Sequence, residues 1–211
     1  NQIGTITQPK AVVINVASLS TLDDRLYQEG FGELIKHGCI ADHSLFESFE
    51  DTPFVRKTDQ PGLINLLEIS SRIKVGVVSG DVRESGNRKI LNFGHTIGHA
   101  LEAASLRTDQ PLLHGEAVSL GMVSELILID EYKLQSRLKK VLVSAKLPVS
   151  LKTLPDSIEN LMKLMRTDKK NIGGSIRFSI PNEIGKCDVD IEVPEKKIQT
   201  ALESLVDDGN S

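Results

Sequence analysis

The sequence predicts a mainly α fold with a small β-hairpin near the C-terminus and a short strand near the N-terminus. Three observations support this prediction. Apolar residues recur at helical spacing through most of the 211 residues, and the period changes to the alternation typical of strands after residue 175. A short β-branched run, AVVINV at residues 11–16, stands alone before the first helical pattern.

The first predicted element is the strand at residues 11–16, which follows a turn-like Gln-Pro pair at residues 8 and 9. A single strand cannot pair its own backbone groups, and the next hundred residues offer it almost no sheet. We therefore expect this strand to pair outside the helical part of the protein.

Helices follow from residue 21 onward. Thr21 or Asp23 is suited to cap the first, which runs to residue 35 with acidic residues in its first turn. Further helices are predicted over residues 61–73, 89–104, 114–132, 135–145 and 157–165. Strands at residues 175–180 and 186–191 then flank a turn at residues 181–183, and a last helix covers residues 195–205.

The composition argues against several classes of function. A formal charge of -4 is unlike a nucleic-acid-binding surface, which usually requires a clustered excess of Lys and Arg. No apolar run approaches the roughly 20 residues of a membrane span, and the N-terminus shows no secretory signal pattern. Cys39 and Cys187 have no metal-binding spacing, so we expect two reduced thiols in a cytoplasmic protein.

Three of the five histidines, His95, His99 and His114, lie close together in the sequence. His95 and His99 are four residues apart, so on a helix they share one face with side chains roughly 5 to 6 Å apart. The flanking Gly94 and Gly98 would each cost a helix interior about 1 kcal/mol, which indicates the close approach of another backbone or a ligand. The pattern is equally compatible with ordinary polar residues on a half-buried helix.

A catalytic metal site needs a third protein ligand and an open position. His114 opens the next predicted helix, which is able to return beside the first pair of histidines. Glu33 is the carboxylate best placed to complete the set. Two histidines, one carboxylate and an open position are typical of a catalytic rather than a structural zinc site.

A basic cluster accompanies the histidines. Arginine offers a bidentate fork to carboxylates and phosphates, and lysine a compact charge, so these residues beside a metal would suit a small polyanionic substrate. Asn92 lies four residues after Arg88 and three before His95, hence on or near the same face of the predicted helix. The other candidate cations, each also compatible with a solvated surface, are Lys36, Lys74, Lys169 and Lys170.

The stretch ESGNRKILNFGHTIGHALE at residues 84–102 resembles the central signature of the 3-dehydroquinate synthase family. Similar blocks occur in family order along nearly the whole chain, namely QPKAVVI, EGFGELIKHG, SRIKVGVV, LLHGEAVSLGM and DKKN. The resemblance implies a dehydroquinate-synthase-like multihelical domain over residues 21–211. Residues 1–20 would then be a strand and junction from an NAD-binding domain.

The resemblance also implies roles for individual residues. Glu33, His95 and His114 correspond to the zinc ligands, whereas His99 corresponds to an active-site histidine that is not a ligand. The implied catalytic set is His99, Lys36, Lys74 and Glu84, the last being an acidic residue that orients the site. The implied substrate-binding set is Arg88, Asn92, Lys169, Lys170 and Asn1.

Some features depart from the family pattern. No glycine-rich dinucleotide fingerprint follows a strand in the 211 residues, so the residues of the NAD site stay unassigned. We therefore expect the NAD-binding domain to be absent from this chain, and the chain alone to be inactive. Asn15, Asp23 and Val82 stand where the family usually has Asp, Pro and Glu, and none of them is a proposed ligand.

The implied reaction is that of a lyase of the shikimate pathway, which converts 3-deoxy-D-arabino-heptulosonate 7-phosphate to 3-dehydroquinate and phosphate. It requires zinc, with cobalt as an alternative metal, and NAD. The implied partners are an acidic sugar phosphate and a second copy in a homodimer, with no nucleic acid and no membrane. The alternatives are another sugar-phosphate cyclase, such as a 2-deoxy-scyllo-inosose synthase, and a non-catalytic helical metal-binding module. A metal-dependent alcohol dehydrogenase is a more distant reading.

Overall fold

The computed structural model describes residues 9–52, 55–82, 86–167 and 175–206. Within these ranges the chain is mainly helical with one antiparallel hairpin, which confirms the predicted fold class. None of the described helices combines the length and apolarity needed to cross a bilayer. The α-helices are α1 (Asp24–Ala41), α2 (His43–Asp51), α3 (Gln60–Gly80), α4 (His95–Ser105), α5 (His114–Ile127), α6 (Tyr132–Ser144), α7 (Ile158–Thr167) and α8 (Glu195–Glu203). The strands are β1 (Arg177–Glu183) and β2 (Lys186–Glu192).

Helix α5 lies at the centre of the molecule. It packs against α1, α4, α6 and α8, and all but three of its fourteen residues are buried. A helix that is apolar on nearly every side is stable only when other elements surround it. Its first residue, His114, lies at the edge of this core and is half-buried, so the core holds the position of the histidine.

The first two helices are set by aspartate caps. The Asp23 side chain accepts the Arg25 N–H at 2.8 Å, which confirms one of the two caps predicted for α1. Helix α2 was not predicted. Asp42 accepts the Leu45 N–H at 2.9 Å there, and Leu45, Phe46 and Phe49 are buried. Because α2 has only two and a half turns, its apolar residues gave too short a pattern to recognise.

The single helix predicted over residues 89–104 is wrong. The chain forms a 3₁₀ helix at Asn87–Asn92 and starts α4 at His95. Between them Gly94 has a φ of 78°, a left-handed conformation that interrupts a right-handed helix and that residues with a Cβ rarely adopt. Asn92 and His95 are therefore on different elements, although they still face one cavity.

The strand predicted over residues 11–16 is not formed. Residues 11–15 belong to no helix or strand, and a 3₁₀ helix covers Val16–Thr21. The described residues include no strand beside this segment, and without a neighbouring strand its backbone groups have no ladder to join. Val13 is consequently 90% exposed, despite the β-branched composition that suggested burial.

The β-hairpin is confirmed, but its turn lies further along the chain than predicted. β1 continues through residues 181–183, and the turn falls at Ile184 and Gly185. Gly185 has a φ of 87°, which a tight turn accommodates only with glycine or a few polar residues. The hairpin packs against α1 and the 3₁₀ helix before α4, so it supports one side of the histidine region.

Candidate metal centre and substrate cavity

Three histidine side chains meet where α4 and α5 begin. His95 is the first residue of α4, His99 lies one turn later, and His114 is the first residue of α5. The ring centroids are 5.0 Å apart for His95 and His99, 5.3 Å for His95 and His114, and 5.8 Å for His99 and His114. One nitrogen from each ring lies within 4.8 Å of the others, a spacing that a single metal ion can bridge.

Close packing between α4 and α5 brings the histidines together. A Cβ added to Gly121 of α5 would collide with the Gly94 carbonyl oxygen, and one added to Gly98 would lie 2.9 Å from the Ala117 carbonyl oxygen. Glycine at these positions therefore lets the two backbones approach closely. This is the close approach that the glycines beside the histidines predicted.

Glu33 of α1 faces two of these histidines. Its Oε1 atom lies 3.4 Å from His95 Nε2 and 3.7 Å from His114 Nε2. Lys36, one turn further along α1, donates hydrogen bonds to both Glu33 carboxylate oxygens at 2.9 and 2.8 Å, and to the Leu91 carbonyl oxygen at 2.9 Å. The Lys36 side chain is buried, so its charge acts on Glu33 with little screening by solvent.

Two hydrogen bonds set the tautomers of His95 and His114. His95 Nδ1 lies 3.1 Å from the Phe93 carbonyl oxygen, and His114 Nδ1 lies 3.1 Å from Glu102 Oε2. A carbonyl and a carboxylate only accept hydrogen bonds, so both Nδ1 atoms carry the proton. The Nε2 atoms, which face Glu33, are then available to a metal when the rings are neutral.

The pKa values of His95 and Glu33 are lowered from their ordinary values, whereas the pKa of His114 is raised. Burial and the nearby charge of Lys36 lower the pKa of His95 to about 3. Hydrogen bonding to Glu33 and Glu102 raises the pKa of His114 to about 9, although burial opposes it. Burial acts to raise the pKa of Glu33, but His114, Lys36 and His95 outweigh it and hold that pKa well below its ordinary value.

A cavity of about 200 Å³ opens beside these groups. Its polar lining contains the predicted basic residues Lys74 and Arg88. The described residues that line it are Glu33, Lys36, Lys74, Arg88, Leu91, Asn92 and His95. The structure thus brings together six residues that the sequence proposed separately. A larger apolar groove of about 880 Å³ lies between α3 and the segment before α1, and the described residues that line it include none of the predicted site residues.

Four predicted site residues lie outside the described residues: Asn1, Glu84, Lys169 and Lys170. Conversely, Glu102, which orients His114, and the carbonyl groups of Leu91 and Phe93 were not predicted from the sequence. Glu102 is the last residue of the motif at residues 84–102 and lies one turn after His99. Helical spacing could therefore have indicated that it lies on the face of the helix that carries the histidines. The carbonyl contacts carried none, because every residue has a carbonyl group.

Comparison with known proteins identifies relatives of this chain. Residues 30–171 match the model of the 3-dehydroquinate synthase C-terminal family. The chain is 40% identical over 209 residues to the 3-dehydroquinate synthase of Thermodesulfovibrio yellowstonii, covering 96% of this chain and 57% of that protein. It is 39% identical over 210 residues to the 3-dehydroquinate synthase of Dictyoglomus thermophilum, covering 97% and 58%. The chain therefore spans less than two thirds of the length of these relatives.

Solved structures of two synthases have a fold similar to that of this chain. The 2-epi-5-epi-valiolone synthase of Streptomyces hygroscopicus subsp. jinggangensis 5008, with NAD+ and Zn2+ bound, matches with a TM-score of 0.83 and 23% identity, covering 97% of this chain and 58% of that one. A 2-deoxy-scyllo-inosose synthase complexed with carbaglucose-6-phosphate, NAD+ and Co2+ matches with a TM-score of 0.69 and 18% identity, covering 89% and 54%. At these identities the likeness establishes the fold.

Proposed function

The chain belongs to the 3-dehydroquinate synthase family, and we propose that it forms the metal- and substrate-binding part of an enzyme that converts 3-deoxy-D-arabino-heptulosonate 7-phosphate to 3-dehydroquinate and phosphate. The observation that carries this proposal is the convergence of His95 Nε2 and His114 Nε2 on Glu33, at the wall of a basic cavity. Ligands for a Lewis acid and cations for an acidic substrate are thereby adjacent.

We assign Glu33, His95 and His114 as ligands of zinc, or alternatively of cobalt. The donor set fits such an ion, since two imidazole Nε2 atoms and one carboxylate oxygen leave a further coordination position for substrate. The two solved relatives bind Zn2+ and Co2+, each together with NAD+. When bound, the metal would supply Lewis acidity and NAD would supply reversible hydride-transfer chemistry.

The side chains around the cavity then bind and orient an acidic sugar phosphate. Lys36 holds Glu33 ionised and in place through its two hydrogen bonds. Lys74 and Arg88 offer cations to the carboxylate and phosphate groups, with the Arg88 guanidinium suited to a bidentate contact. We propose that His99, whose ring centroid lies 5.0 Å from that of His95 and 5.8 Å from that of His114, moves a proton to or from the substrate.

The remaining assignments rest on resemblance. We propose that Glu84 orients the site, and that Asn1 and Lys169 or Lys170 contact the substrate. We also propose that NAD binds mainly to the part of the longer relatives that this chain does not match, because its 211 residues contain no glycine-rich dinucleotide fingerprint.

A second sugar-phosphate cyclase activity is the closest competing function. Solved 2-deoxy-scyllo-inosose synthases share the fold at 18% to 20% identity, whereas relatives named 3-dehydroquinate synthase reach 40%. The cavity lining, with Lys74 and Arg88 in so small a volume in addition to the Lys36–Glu33 pair, further favours a substrate with two anionic groups.

The experiment that tests the proposal is a fusion. This chain replaces the matching C-terminal part of the Thermodesulfovibrio yellowstonii relative, and phosphate release is measured with NAD and zinc. We expect turnover of 3-deoxy-D-arabino-heptulosonate 7-phosphate by the fusion and none by the chain alone. Arg88→Ala should lower kcat/KM of the fusion roughly 10- to 100-fold, since a charge-assisted hydrogen bond contributes about 1.5–3 kcal/mol.

The control is Lys133→Ala, which removes an exposed cation on α6, a helix that contributes none of the described residues lining the cavity. It should leave kcat/KM unchanged. A folded, zinc-loaded fusion that accepts only sugar phosphates lacking a carboxylate would establish the competing cyclase. Clear turnover by the chain alone would contradict the assignment of the NAD site to another part of the protein.

A further inference from the structure

Helix α5 carries a carboxylate that takes no part in the cavity. Glu125, three turns after His114, is fully buried. Its Oε2 atom accepts the Gly94 N–H at 2.7 Å, and its Oε1 atom accepts the Ile97 N–H at 3.2 Å. A carboxylate is strongly disfavoured in a protein interior unless its charge is compensated, so this arrangement requires a physical explanation.

The explanation lies at the N-terminus of α4. The first N–H groups of a helix have no partner within the helix, and a Ser, Thr, Asp or Asn at the capping position usually satisfies them. In α4 that position is Gly94, which has no side chain to offer. Glycine is required there, because φ is 78° and because α5 approaches so closely that a Cβ would collide with it.

Glu125 supplies the missing cap from the neighbouring helix. In a capping box, two side chains of one helix satisfy the N–H groups of the capping residue and of the third helical residue. Gly94 and Ile97 occupy these two positions in α4, and the single Glu125 carboxylate accepts from both. The partial positive charge at the start of the helix also compensates the buried negative charge.

His95 is one of the two residues that lie between these two N–H groups. Helix α5 therefore carries His114 at its first residue and, through Glu125, holds the turn of α4 that presents His95. We propose that Glu125 is a positioning residue of the metal centre, which caps α4 in trans and thereby sets the spacing between His95 and His114. The proposal rests on the metal site of the proposed function.

The test compares Glu125→Gln and Glu125→Ala with Ser124→Ala in the 211-residue chain. Zinc affinity is measured by competition with a chromophoric chelator, and folding by circular dichroism. Loss of an outer group that orients a ligand typically lowers metal affinity about 10- to 100-fold, and we expect this for Glu125→Ala. Glu125→Gln should lose less, since its amide oxygen still accepts one N–H, and it keeps the size of the buried side chain.

Ser124→Ala is the matched control. Ser124 is the adjacent buried residue of α5, and its hydroxyl donates to the Ala201 carbonyl oxygen at 3.0 Å on the side facing α8. Its loss should destabilise the chain without changing zinc affinity. Wild-type affinity in both folded Glu125 variants would overturn the proposal, as would an equal loss in Ser124→Ala.

Amide hydrogen exchange in the metal-free chain separates this proposal from the metal assignment. Both Glu125 variants should exchange faster at residues 94–99, while α5 and the rest of α4 stay protected. If the wild-type chain binds no zinc but this local change occurs, the metal assignment fails and the capping role of Glu125 stands. Unchanged exchange at residues 94–99 overturns the positioning role whatever the zinc result.

Discussion

The ammonium group of Lys36 lies 2.8 and 2.9 Å from the two carboxylate oxygens of Glu33, the same group that His95 and His114 approach from α4 and α5. Lys36 is almost completely buried, and it also donates to the Leu91 carbonyl oxygen. The wall of the cavity therefore includes the buried cation of Lys36 next to Glu33, the carboxylate proposed as a metal ligand.

Replacing Lys36 by Met should raise the pKa of Glu33. The Lys36 charge and its hydrogen bonds both act to lower that pKa, and methionine keeps the length of the side chain without either effect. Titration of the Glu33 side-chain carboxyl carbon by NMR measures the change. Lys57→Met, which removes the partner of Asp24 at the other end of α1, is the control and should leave the Glu33 titration unaltered.

Zinc affinity should depend on pH through His114. Because the pKa of His114 is about 9, the metal must displace one proton from this ring at neutral pH. His95, with a pKa of about 3, contributes no proton above about pH 4. Between pH 6 and 8 the association constant should rise about tenfold per pH unit. Calorimetry in buffers of different ionisation enthalpy measures the released proton, and a pH-independent affinity would refute the ligand role of His114.

Glu102→Gln should weaken zinc binding about tenfold or more, because Glu102 fixes the His114 ring through Nδ1. The same substitution should lower the pKa of His114 in the metal-free chain, since Glu102 is one of the groups that raise it. Histidine NMR titration and the chelator competition report the two effects. Glu159→Gln, an exposed glutamate in the first turn of α7, should change neither.

The stability of the chain should fall in mild acid because of His37. This histidine is buried, its Nδ1 lies 2.6 Å from Ser70 Oγ, and no hydrogen-bond partner faces its Nε2 among the described residues. Burial and the Lys36 charge lower its pKa from 6.5 to about 4. The unfolded chain therefore takes up the proton first as pH decreases.

The His37 contribution should consequently lower the free energy of unfolding by roughly 3 kcal/mol between about pH 6.5 and about pH 4, at about 1.36 kcal/mol per pH unit, and His95 should add to this loss because its pKa is also lowered. Urea denaturation across this range measures the loss. The variant His37→Leu should lack this part of the pH dependence, whereas His43→Leu, an exposed histidine on α2, should keep it. An identical pH profile for wild type and His37→Leu would contradict the assignment.

Local sequence signals were sufficient for most of the fold. Helical spacing of apolar residues located α1, α3, α5, α6, α7 and α8, and alternation located the hairpin, because apolar residues recur in the sequence at the period of each element. Two predictions failed where long-range structure decides. Residues 11–15 form no strand without a partner, and Gly94 divides the helix predicted over residues 89–104 because α5 packs directly against it.

For the candidate site, the sequence by itself determined the residue types. The spacing of His95 and His99, the position of His114 at a helix start and the basic residues around them are all readable without coordinates. Only the tertiary structure decided which atoms face one another. Glu33 and Glu102 come from helices whose distance from the histidines depends on packing, and they take opposite sides of the His114 ring.

Glu125 is the clearest example of a residue whose contacts only the tertiary structure reveals. Its position in an apolar helix gave no indication of its partners, because the Gly94 and Ile97 N–H groups that it caps lie 31 and 28 residues away in the chain. The periodicity of a sequence indicates which face of a helix is buried, but it does not indicate which buried faces contact one another. Those contacts hold the first turn of α4 in place, and with it the histidine proposed to bind the metal.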